Sequence, residues 1–396
     1  MKLNKVLIAG GGIGGLAAAL ALLRAGIDVE VYEQSSELRE VGAGIQISPN
    51  GNRVLDHLGV LQNLKALSSP TDGKEIRLWN TGQMWKLFDL GDEAVKKYGY
   101  PYMTAFRPAL LQVLADGVRA LKPDAIQLDA RCTGFSQTHD QVRLDFENRT
   151  SVTGDLLIGA DGVHSKIRAA MFGQEPTLFT GMIAWRALIP MDALPAHMVR
   201  NVATNWVGPG GHVVHYPLNG GTVMNFVGTL EGNTWEGPPW STPGTVEDCS
   251  RAFDGWHEDV QSLIRCAPSV LKWAMCGRPF LPRWSEGRVT LMGDACHPTL
   301  PFLAQGAVFT LEDAVVLQRC LSNNANHLPL ALVKYEQARM ERAYRMVRGA
   351  SDNTYRFHNQ ALAQQDTAEA FINKEWQQSA IGSRYDWLFH YNAITD

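Results

Sequence analysis

The pattern of apolar and polar positions near the start of the chain predicts a strand, a tight turn, a helix and a second strand. Residues 5–9 form an apolar run typical of a buried strand, and a glycine cluster at 10–15 follows it. Residues 16–25 are rich in alanine and leucine, which favours a helix ending at Gly26. Residues 28–32 resume a strand pattern, so we expect two parallel strands joined by a right-handed crossover.

Beyond this unit the pattern changes once, at about residue 178. Before that point it predicts a helix at 49–66, β structure at 77–87, an amphipathic helix at 107–121, short strands at 125–149 and a buried strand at 156–160. Long alternating strands at 178–232 are typical of an antiparallel sheet. After them we expect helical structure to about 275, a strand at 288–293, a helix at 305–321 and polar helices beyond. Together these elements predict an α/β fold with an inserted antiparallel sheet and a helical C-terminus.

Composition is that of a globular protein. Of the 396 residues, 45% are hydrophobic and 19% are charged, a balance that supports a sizeable buried core. Because the net charge is -4 and no basic run occurs, we expect no nucleic-acid partner. The first apolar run enters a glycine cluster rather than a cleavage site, and no apolar stretch is long enough for a membrane span, so we expect a cytoplasmic protein. The six cysteines lack metal-binding spacing, so we expect free thiols and no metal site.

The glycine cluster contains a G-x-G-x-x-G pattern made by Gly10, Gly12 and Gly15, with Gly14 inside it. Between a strand and a helix, such glycines let the backbone approach a pyrophosphate at the N-terminus of the helix. Glu33, at the end of the second strand, offers a carboxylate that can accept hydrogen bonds from an adenosine ribose. The pattern does not by itself distinguish FAD from NAD.

Two later segments favour FAD. Residues 155–168, which include Asp161, resemble the DG motif of flavoprotein hydroxylases. Residues 287–298, which include Asp294, resemble their GD motif, in which a buried strand ends in Gly-Asp and the Asp can bind the ribityl chain. The helix expected to begin near Gly306 then presents free N–H groups that can stabilise a reduced, anionic flavin.

With these three motifs in order, the chain resembles the class A FAD-dependent aromatic hydroxylases. Salicylate hydroxylase, 3-hydroxybenzoate 6-hydroxylase and 6-hydroxynicotinate 3-monooxygenase share further pieces with it at 40–46, 211–217 and 297–307. The resemblance implies a Rossmann-like FAD-binding domain of the para-hydroxybenzoate hydroxylase type with an inserted substrate domain. The implied ranges are 1–75, 100–178 and 280–350 for the FAD-binding domain, 76–99 and 179–279 for the substrate domain, and 351–396 for a C-terminal helical segment.

The resemblance also implies the cofactor contacts. They are the glycines of the first motif, Glu33, Arg107, Cys132 through its backbone, Asp161, Asp294, Gly306 and Ala307. Because the chain has no second dinucleotide fingerprint, NADH or NADPH is expected to bind transiently in a groove without its own domain.

The predicted substrate pocket lies along residues 212–216, where His212, Val214 and Tyr216 share one strand face and His215 points the other way. The resemblance implies that His212 and Tyr216 face the substrate, where an imidazole can hydrogen-bond or deprotonate a ring hydroxyl. The alternative is that the two side chains only pack at a domain interface.

His297 follows Asp294 within the GD motif, and two roles are open for it. It is either a base or hydrogen-bond partner in the pocket, or a side chain that packs by the flavin and fixes the loop. Arg186 similarly either contacts a substrate carboxylate or supports the DG segment. Trp235 and Trp240 lie in a Pro/Gly-rich loop and are expected to pack at a domain edge, with closure over the site as the alternative.

The activity implied is NAD(P)H-dependent hydroxylation of a small aromatic carboxylate with O2, through a flavin C4a-hydroperoxide, in the catabolism of aromatic compounds. Pro301, Gln46 and the tail at 385–389 favour salicylate, which would give catechol and carbon dioxide. The alternatives are 3-hydroxybenzoate 6-hydroxylase or 6-hydroxynicotinate 3-monooxygenase activity, and, in another class, a flavin dehydrogenase or reductase without oxygen insertion. We expect a monomer or homodimer.

Overall fold

The computed structural model describes residues 3–38, 44–235 and 242–396. Glu40 to Ala43 of the segment 40–46 lie outside the described residues, and so does Trp240.

The strands of the described ranges, in chain order, are β1 (Val6–Ala9), β2 (Val29–Tyr32), β3 (Gly44–Ile47), β4 (Ser68–Pro70), β5 (Gly73–Leu78), β6 (Met84–Asp89), β7 (Met103–Phe106), β8 (Ile126–Gln127), β9 (Cys132–Gln137), β10 (Val142–Phe146), β11 (Val152–Gly154), β12 (Leu156–Gly159), β13 (Leu178–Pro190), β14 (Val202–Gly208), β15 (Gly211–Leu218), β16 (Val223–Glu231), β17 (Thr242–Gly244), β18 (Val270–Gly277), β19 (Ser285–Glu286) and β20 (Val289–Leu291).

The α-helices of the same ranges are α1 (Ile13–Arg24), α2 (Pro49–His57), α3 (Leu61–Lys65), α4 (Asp92–Tyr98), α5 (Arg107–Leu121), α6 (Lys166–Phe172), α7 (Val246–Ala252), α8 (Glu258–Arg265), α9 (Gly306–Asn323), α10 (Leu328–Phe357), α11 (Gln365–Glu375) and α12 (Gln378–Phe389). Among the described residues, no helix combines the length and the apolar character that crossing a bilayer requires.

A six-stranded sheet in the order β19-β20-β12-β1-β2-β8 forms the first layer. Its central strand β1 pairs in parallel with β12 and β2, and β12 pairs in parallel with β20. All four residues of β1 are fully buried, which explains why the strand appears in the sequence as a continuous apolar run. The predicted strand–turn–helix–strand unit and both later buried strands are confirmed.

An eight-stranded sheet in the order β17-β18-β13-β16-β15-β14-β5-β6 forms the second layer. The strands β13 to β16 pair antiparallel, as predicted, while β5 joins β14 in parallel. The predicted fold class, α/β with an inserted antiparallel sheet and a helical C-terminus, is confirmed. The domain ranges stay a prediction, and α10 runs across position 350 without a break.

Two elements differ from the sequence prediction. The helical structure expected up to 275 ends at Arg265, and β18 follows because the 13-residue strand β13 offers it an antiparallel partner. The single helix expected at 49–66 is divided into α2 and α3 around Gly59, whose φ of +76° favours glycine. The β structure expected at 77–87 is confirmed as a hairpin of β5 and β6 that turns at Gly82.

A buried ionic cluster joins α9 to α10. Arg339 donates hydrogen bonds to Glu312 and Asp313, each at 2.8 Å, and all three side chains are fully buried. Arg342 donates to both oxygens of Glu312 at 3.0 Å. Burial alone would raise the pKa of the Glu312 carboxyl, but the two arginines outweigh it and hold that pKa below its usual range.

The C-terminal segment closes over this cluster. Arg342 donates to the carbonyl oxygens of Trp387 and Leu388, and its guanidinium stacks 3.7 Å from the ring centroid of Tyr391. Arg53 of α2 donates to the Tyr391 carbonyl oxygen at 2.5 Å. The end of α12 and the residues that follow it therefore form a wall behind α9.

Candidate active site

A cavity of about 620 Å³ lies between the first layer, the N-terminus of α9 and one face of the eight-stranded sheet. The predicted site residues that line it are Gly10, Gly12, Gly14, Glu33, Arg107, Cys132, Asp161, His212, Tyr216, Asp294, Gly306 and Ala307. Gly15 and His297 are not among the lining residues. The three sequence motifs and the strand β15 thus meet at one site.

The glycine turn has the geometry of a phosphate cradle. Gly10 has a φ of +104°, and a Cβ there would overlap the Ala160 carbonyl oxygen. A Cβ on Gly15 would overlap the Gly10 carbonyl oxygen, so this glycine lets α1 pack against β1. Gly12 is the N-cap of α1, and none of the residues that the structure describes lies within 4 Å of the position of a Cβ there. The open N-terminus of α1 therefore fits an anionic group.

Replacement of Gly12 by alanine is expected to weaken FAD binding by about tenfold to a hundredfold, because the added methyl would occupy the space that a pyrophosphate needs. The apoprotein has room for that methyl, so its melting temperature is expected to stay unchanged. FAD titration and thermal melts of the apoprotein measure the two effects. Gly134→Ala is the matched control because its Cβ position is equally open and lies outside the cavity lining. Equal FAD affinity of both variants would contradict the cradle.

Glu33 is held in place by backbone donors. Its Oε2 accepts a hydrogen bond from the Gly11 N–H at 2.7 Å, and its Oε1 accepts one from the Ser35 N–H at 2.9 Å. The carboxylate therefore stands at the end of β2 beside the glycine turn, where an adenosine ribose fits.

The DG segment forms the start of α6. Asp161 accepts hydrogen bonds from the Ser165 hydroxyl at 2.5 Å, the Lys166 N–H at 2.7 Å and the Ile167 N–H at 3.1 Å. Burial raises the pKa of the Asp161 carboxyl, and these donors oppose the shift. Asp161 therefore lines the cavity and also holds the turn before α6.

The GD segment brings a carboxylate and a helix terminus to the cavity. Asp294 is exposed there. Burial lowers the pKa of the Arg107 guanidinium, and the charge of Asp294 opposes this shift. The N-cap residue of α9, Gln305, makes no side-chain cap, and within the described ranges the N–H groups of Gly306 and Ala307 are open to a ligand. This terminus fits the electron-rich edge of a reduced flavin.

His297 lies behind this segment. Its Nε2 is 2.6 Å from the Asp313 carboxylate, its ring packs on Trp284 and its side chain is buried. The same Asp313 oxygen accepts a hydrogen bond from the Gly293 N–H at 3.0 Å. The structure therefore ties His297 to the buried ionic cluster and does not bring it together with His212 and Tyr216.

The sheet face that lines the cavity carries His212, Val214 and Tyr216 of β15. His215 lies on the opposite face, where its Nε2 accepts a hydrogen bond from the Trp206 indole at 3.2 Å. Burial lowers the pKa of His212 well below its usual value and raises the pKa of Tyr216 to about 12. At neutral pH the site therefore holds a neutral imidazole and a neutral phenol.

Lys74 of β5 also lines the cavity and was missed in the sequence. It makes no hydrogen bond or ion pair with any described residue, and burial lowers the pKa of its ammonium group to about 8. The sequence did contain a pattern that indicates this position. Lys74 lies two and four residues before Ile76 and Leu78, which are buried, so the period of a strand places all three side chains on one face. A lysine in such a place is poised to bind an anion.

Arg186 of β13 reaches the cavity beside this wall. Its guanidinium stacks 4.0 Å from the centre of the Trp273 ring, and its Nε has no hydrogen-bond partner among the described residues. Asn205 Oδ1 and Thr229 Oγ1 line the same cavity and also have no partner there. These open polar atoms fit a polar ligand against the sheet.

Comparisons with known proteins agree with this geometry. Residues 4–350 match the FAD-binding domain family. A 3-amino-4-hydroxybenzoate 2-monooxygenase of Streptomyces platensis is 35% identical, covering 96% of this chain and 98% of that protein. A 6-hydroxynicotinate 3-monooxygenase of Pseudomonas fluorescens is also 35% identical, covering 89% and 91%. The structure of Klebsiella pneumoniae HpxO, complexed with FAD and uric acid, superposes with a TM-score of 0.83 at 28% identity, covering 97% and 96%.

The fold and the cavity define an FAD-binding enzyme. The chain belongs to the family of FAD-dependent aromatic-ring monooxygenases, as the sequence motifs predicted. The prediction of FAD as its cofactor is confirmed.

Proposed function

We propose that the chain is a single-component monooxygenase that hydroxylates a small aromatic carboxylate with NAD(P)H and O2. The observation that carries the proposal is the sheet wall of the cavity, which Lys74 shares with the neutral side chains of His212 and Tyr216. Lys74 has no hydrogen-bond or ion-pair partner among the described residues there. The names of the relatives from Streptomyces and Pseudomonas describe enzymes for hydroxylated ring carboxylates, which supports the same class of substrate.

Each residue of the wall has a role in this proposal. Bound FAD supplies the oxygen chemistry with electrons from NAD(P)H. Lys74 binds the substrate carboxylate, and neutral His212 accepts the proton of the ring hydroxyl. Loss of that proton makes the ring carbons ortho and para to the oxygen more nucleophilic. Tyr216 donates a hydrogen bond to the ring oxygen, and His297 positions the loop from behind.

Salicylate is our first candidate substrate, with catechol and carbon dioxide as products. Pro301 and Gln46, which favour it in the sequence, both line the cavity. Gln46 is held there by a hydrogen bond from the Tyr102 hydroxyl at 2.7 Å. The tail at 385–389 lies outside the cavity lining, so its likeness to salicylate hydroxylases says nothing about the pocket.

The test is substrate-dependent NADH and NADPH oxidation by the FAD-loaded protein with salicylate, 3-hydroxybenzoate, 6-hydroxynicotinate and 3-amino-4-hydroxybenzoate. Products are identified by chromatography and mass, with labelled O2 to follow the oxygen atom. Catechol from salicylate would support the specific proposal, and a ring-hydroxylated acid from another substrate would replace only the substrate. Hydrogen peroxide without a labelled product for all four would contradict the proposed reaction.

Replacement of Lys74 by methionine is expected to raise KM for the carboxylate substrate by about 30-fold to 100-fold, because a buried charge pair is lost. In the unmodified protein kcat/KM is expected to fall as pH rises through about 8, since the ammonium group that binds the carboxylate loses its proton there. This decrease in kcat/KM at high pH should be absent in Lys74→Met. Lys86→Met, an exposed lysine on the neighbouring β6, is the control. An unchanged KM and pH profile in Lys74→Met would exclude the carboxylate contact.

A further inference from the structure

A row of three side chains runs from the protein surface to the cavity. Glu231 is half exposed at the end of β16, and its Oε1 lies 3.0 Å from Nδ1 of His358. His358 is buried after the end of α10, and its Nε2 lies 2.7 Å from Nδ1 of His212. His212 lines the cavity, and none of the described residues hydrogen-bonds its Nε2.

Backbone hydrogen bonds hold the three residues of this row in fixed positions. The Gly210 N–H donates to the His358 carbonyl oxygen at 3.1 Å, and the Glu231 N–H donates to the Gly210 carbonyl oxygen at 2.9 Å. The His212 ring is further packed edge-on against Phe302, with ring centroids 4.7 Å apart. The turn between β14 and β15 therefore fixes all three side chains relative to one another.

The row determines which nitrogen of His212 carries its proton. A carboxylate only accepts hydrogen bonds, so His358 must donate to Glu231 from Nδ1. Burial lowers the pKa of His358 and of His212, so each ring is neutral and has a single N–H. His358 then has a bare Nε2, which accepts from Nδ1–H of His212. The remaining lone pair of His212, on Nε2, is left for the cavity.

We propose that Glu231 and His358 are positioning residues that keep His212 in the base form at Nε2 and carry the substrate proton to solvent. The proposal rests on the proposed function, in which His212 takes the proton of a ring hydroxyl. As Nε2 of His212 gains that proton, Nδ1 passes its own to Nε2 of His358, whose Nδ1 proton moves to the Glu231 carboxylate and from there to water. One proton enters the row, one leaves it, and both rings stay neutral.

The surroundings of His212 explain why it passes a proton onward and does not become a cation. Burial opposes a positive charge on His212 most strongly, and the His358 ring and the charge of Lys74 add to this effect. An imidazole that simply kept the substrate proton would become a buried cation beside an ammonium group, which is costly. Passing a second proton onward at the same time avoids that cation.

The first measurement needs no substrate. The full chain loaded with FAD and labelled with 15N-histidine is studied by two-bond 1H–15N spectroscopy at neutral pH, and the signals of His212 are assigned by their loss in His212→Asn. We expect the proton on Nδ1 and a bare Nε2. In Glu231→Gln the amide group can donate a hydrogen bond to Nδ1 of His358. His358 then carries its proton on Nε2 and donates to Nδ1 of His212, so the proton of His212 moves to Nε2 in part or all of the protein. A proton on Nε2 of His212 in the unmodified chain would overturn the proposal.

The second measurement uses whichever substrate the panel identifies. Glu231→Gln is expected to lower kcat by about tenfold to a hundredfold while KM stays within about twofold, since the carboxylate never touches the substrate. Glu341→Gln removes an exposed carboxylate on α10 and should leave kcat unchanged. Equal kcat values for the two variants would overturn the relay. If no substrate in the panel is hydroxylated, the proposed function fails, while the tautomer of His212 still decides the arrangement of the row.

Discussion

Replacement of Arg339 by leucine is expected to lower the free energy of unfolding by about 3–5 kcal/mol. Arg339 is fully buried between Glu312 and Asp313, and its loss leaves two buried carboxylates with fewer opposite charges. Such an uncompensated buried charge costs much more than the intact pair contributes. Urea unfolding of the FAD-loaded protein and of the apoprotein measures the change.

Two companion variants separate charge from packing. Arg348→Leu removes an exposed arginine from the same helix and should change stability by less than about 0.5 kcal/mol. Adding Asp313→Asn to Arg339→Leu should recover part of the loss, because Asp313 then has no arginine partner, whereas Glu312 still has Arg342. No recovery would mean that the guanidinium acts mainly by filling space.

Replacement of His212 by asparagine is expected to lower kcat by about 10²-fold to 10⁴-fold, the usual contribution of a positioned general base. Asparagine can still hydrogen-bond His358 but has no atom that accepts a proton at the position of Nε2. FAD binding should be unchanged, because the glycine turn and the GD segment lie on other elements of the cavity.

The measurement is single-turnover product formation with the identified substrate, alongside NADH oxidation and peroxide release. We expect NADH oxidation to continue while product falls and peroxide rises. His139→Asn changes an exposed histidine that does not line the cavity and should behave as the unmodified protein. If product formation in His212→Asn matches that control, another group accepts the proton.

Features with local causes could be predicted from the sequence. The glycine turn, β1 and the start of α9 depend on neighbouring residues and on burial on both faces, and all three are where the pattern indicated. The strand β18 was missed because its stability comes from pairing with β13, about 90 positions earlier. Secondary-structure propensity, judged over a short stretch of sequence, does not take such a distant partner into account.

The same distinction applies to the site. His212 and Tyr216 could be placed on one face from the period of a strand, whereas His358 joins them from 146 positions away. His297 lies within the GD motif, yet its ring turns towards Asp313, a carboxylate that Arg339 holds in a position that the sequence does not reveal. Lys74 could have been found, since its alternation with two buried residues was visible.

The wall behind α9 has a consequence for synthesis on the ribosome. Arg342 emerges about 45 residues before Trp387 and Leu388, whose carbonyl oxygens accept two of its hydrogen bonds. A growing chain therefore presents the glycine turn, the GD segment and α9 before their back wall exists. We expect a nascent chain stalled before residue 387 to capture FAD poorly, with holoenzyme forming only once the last helix has docked.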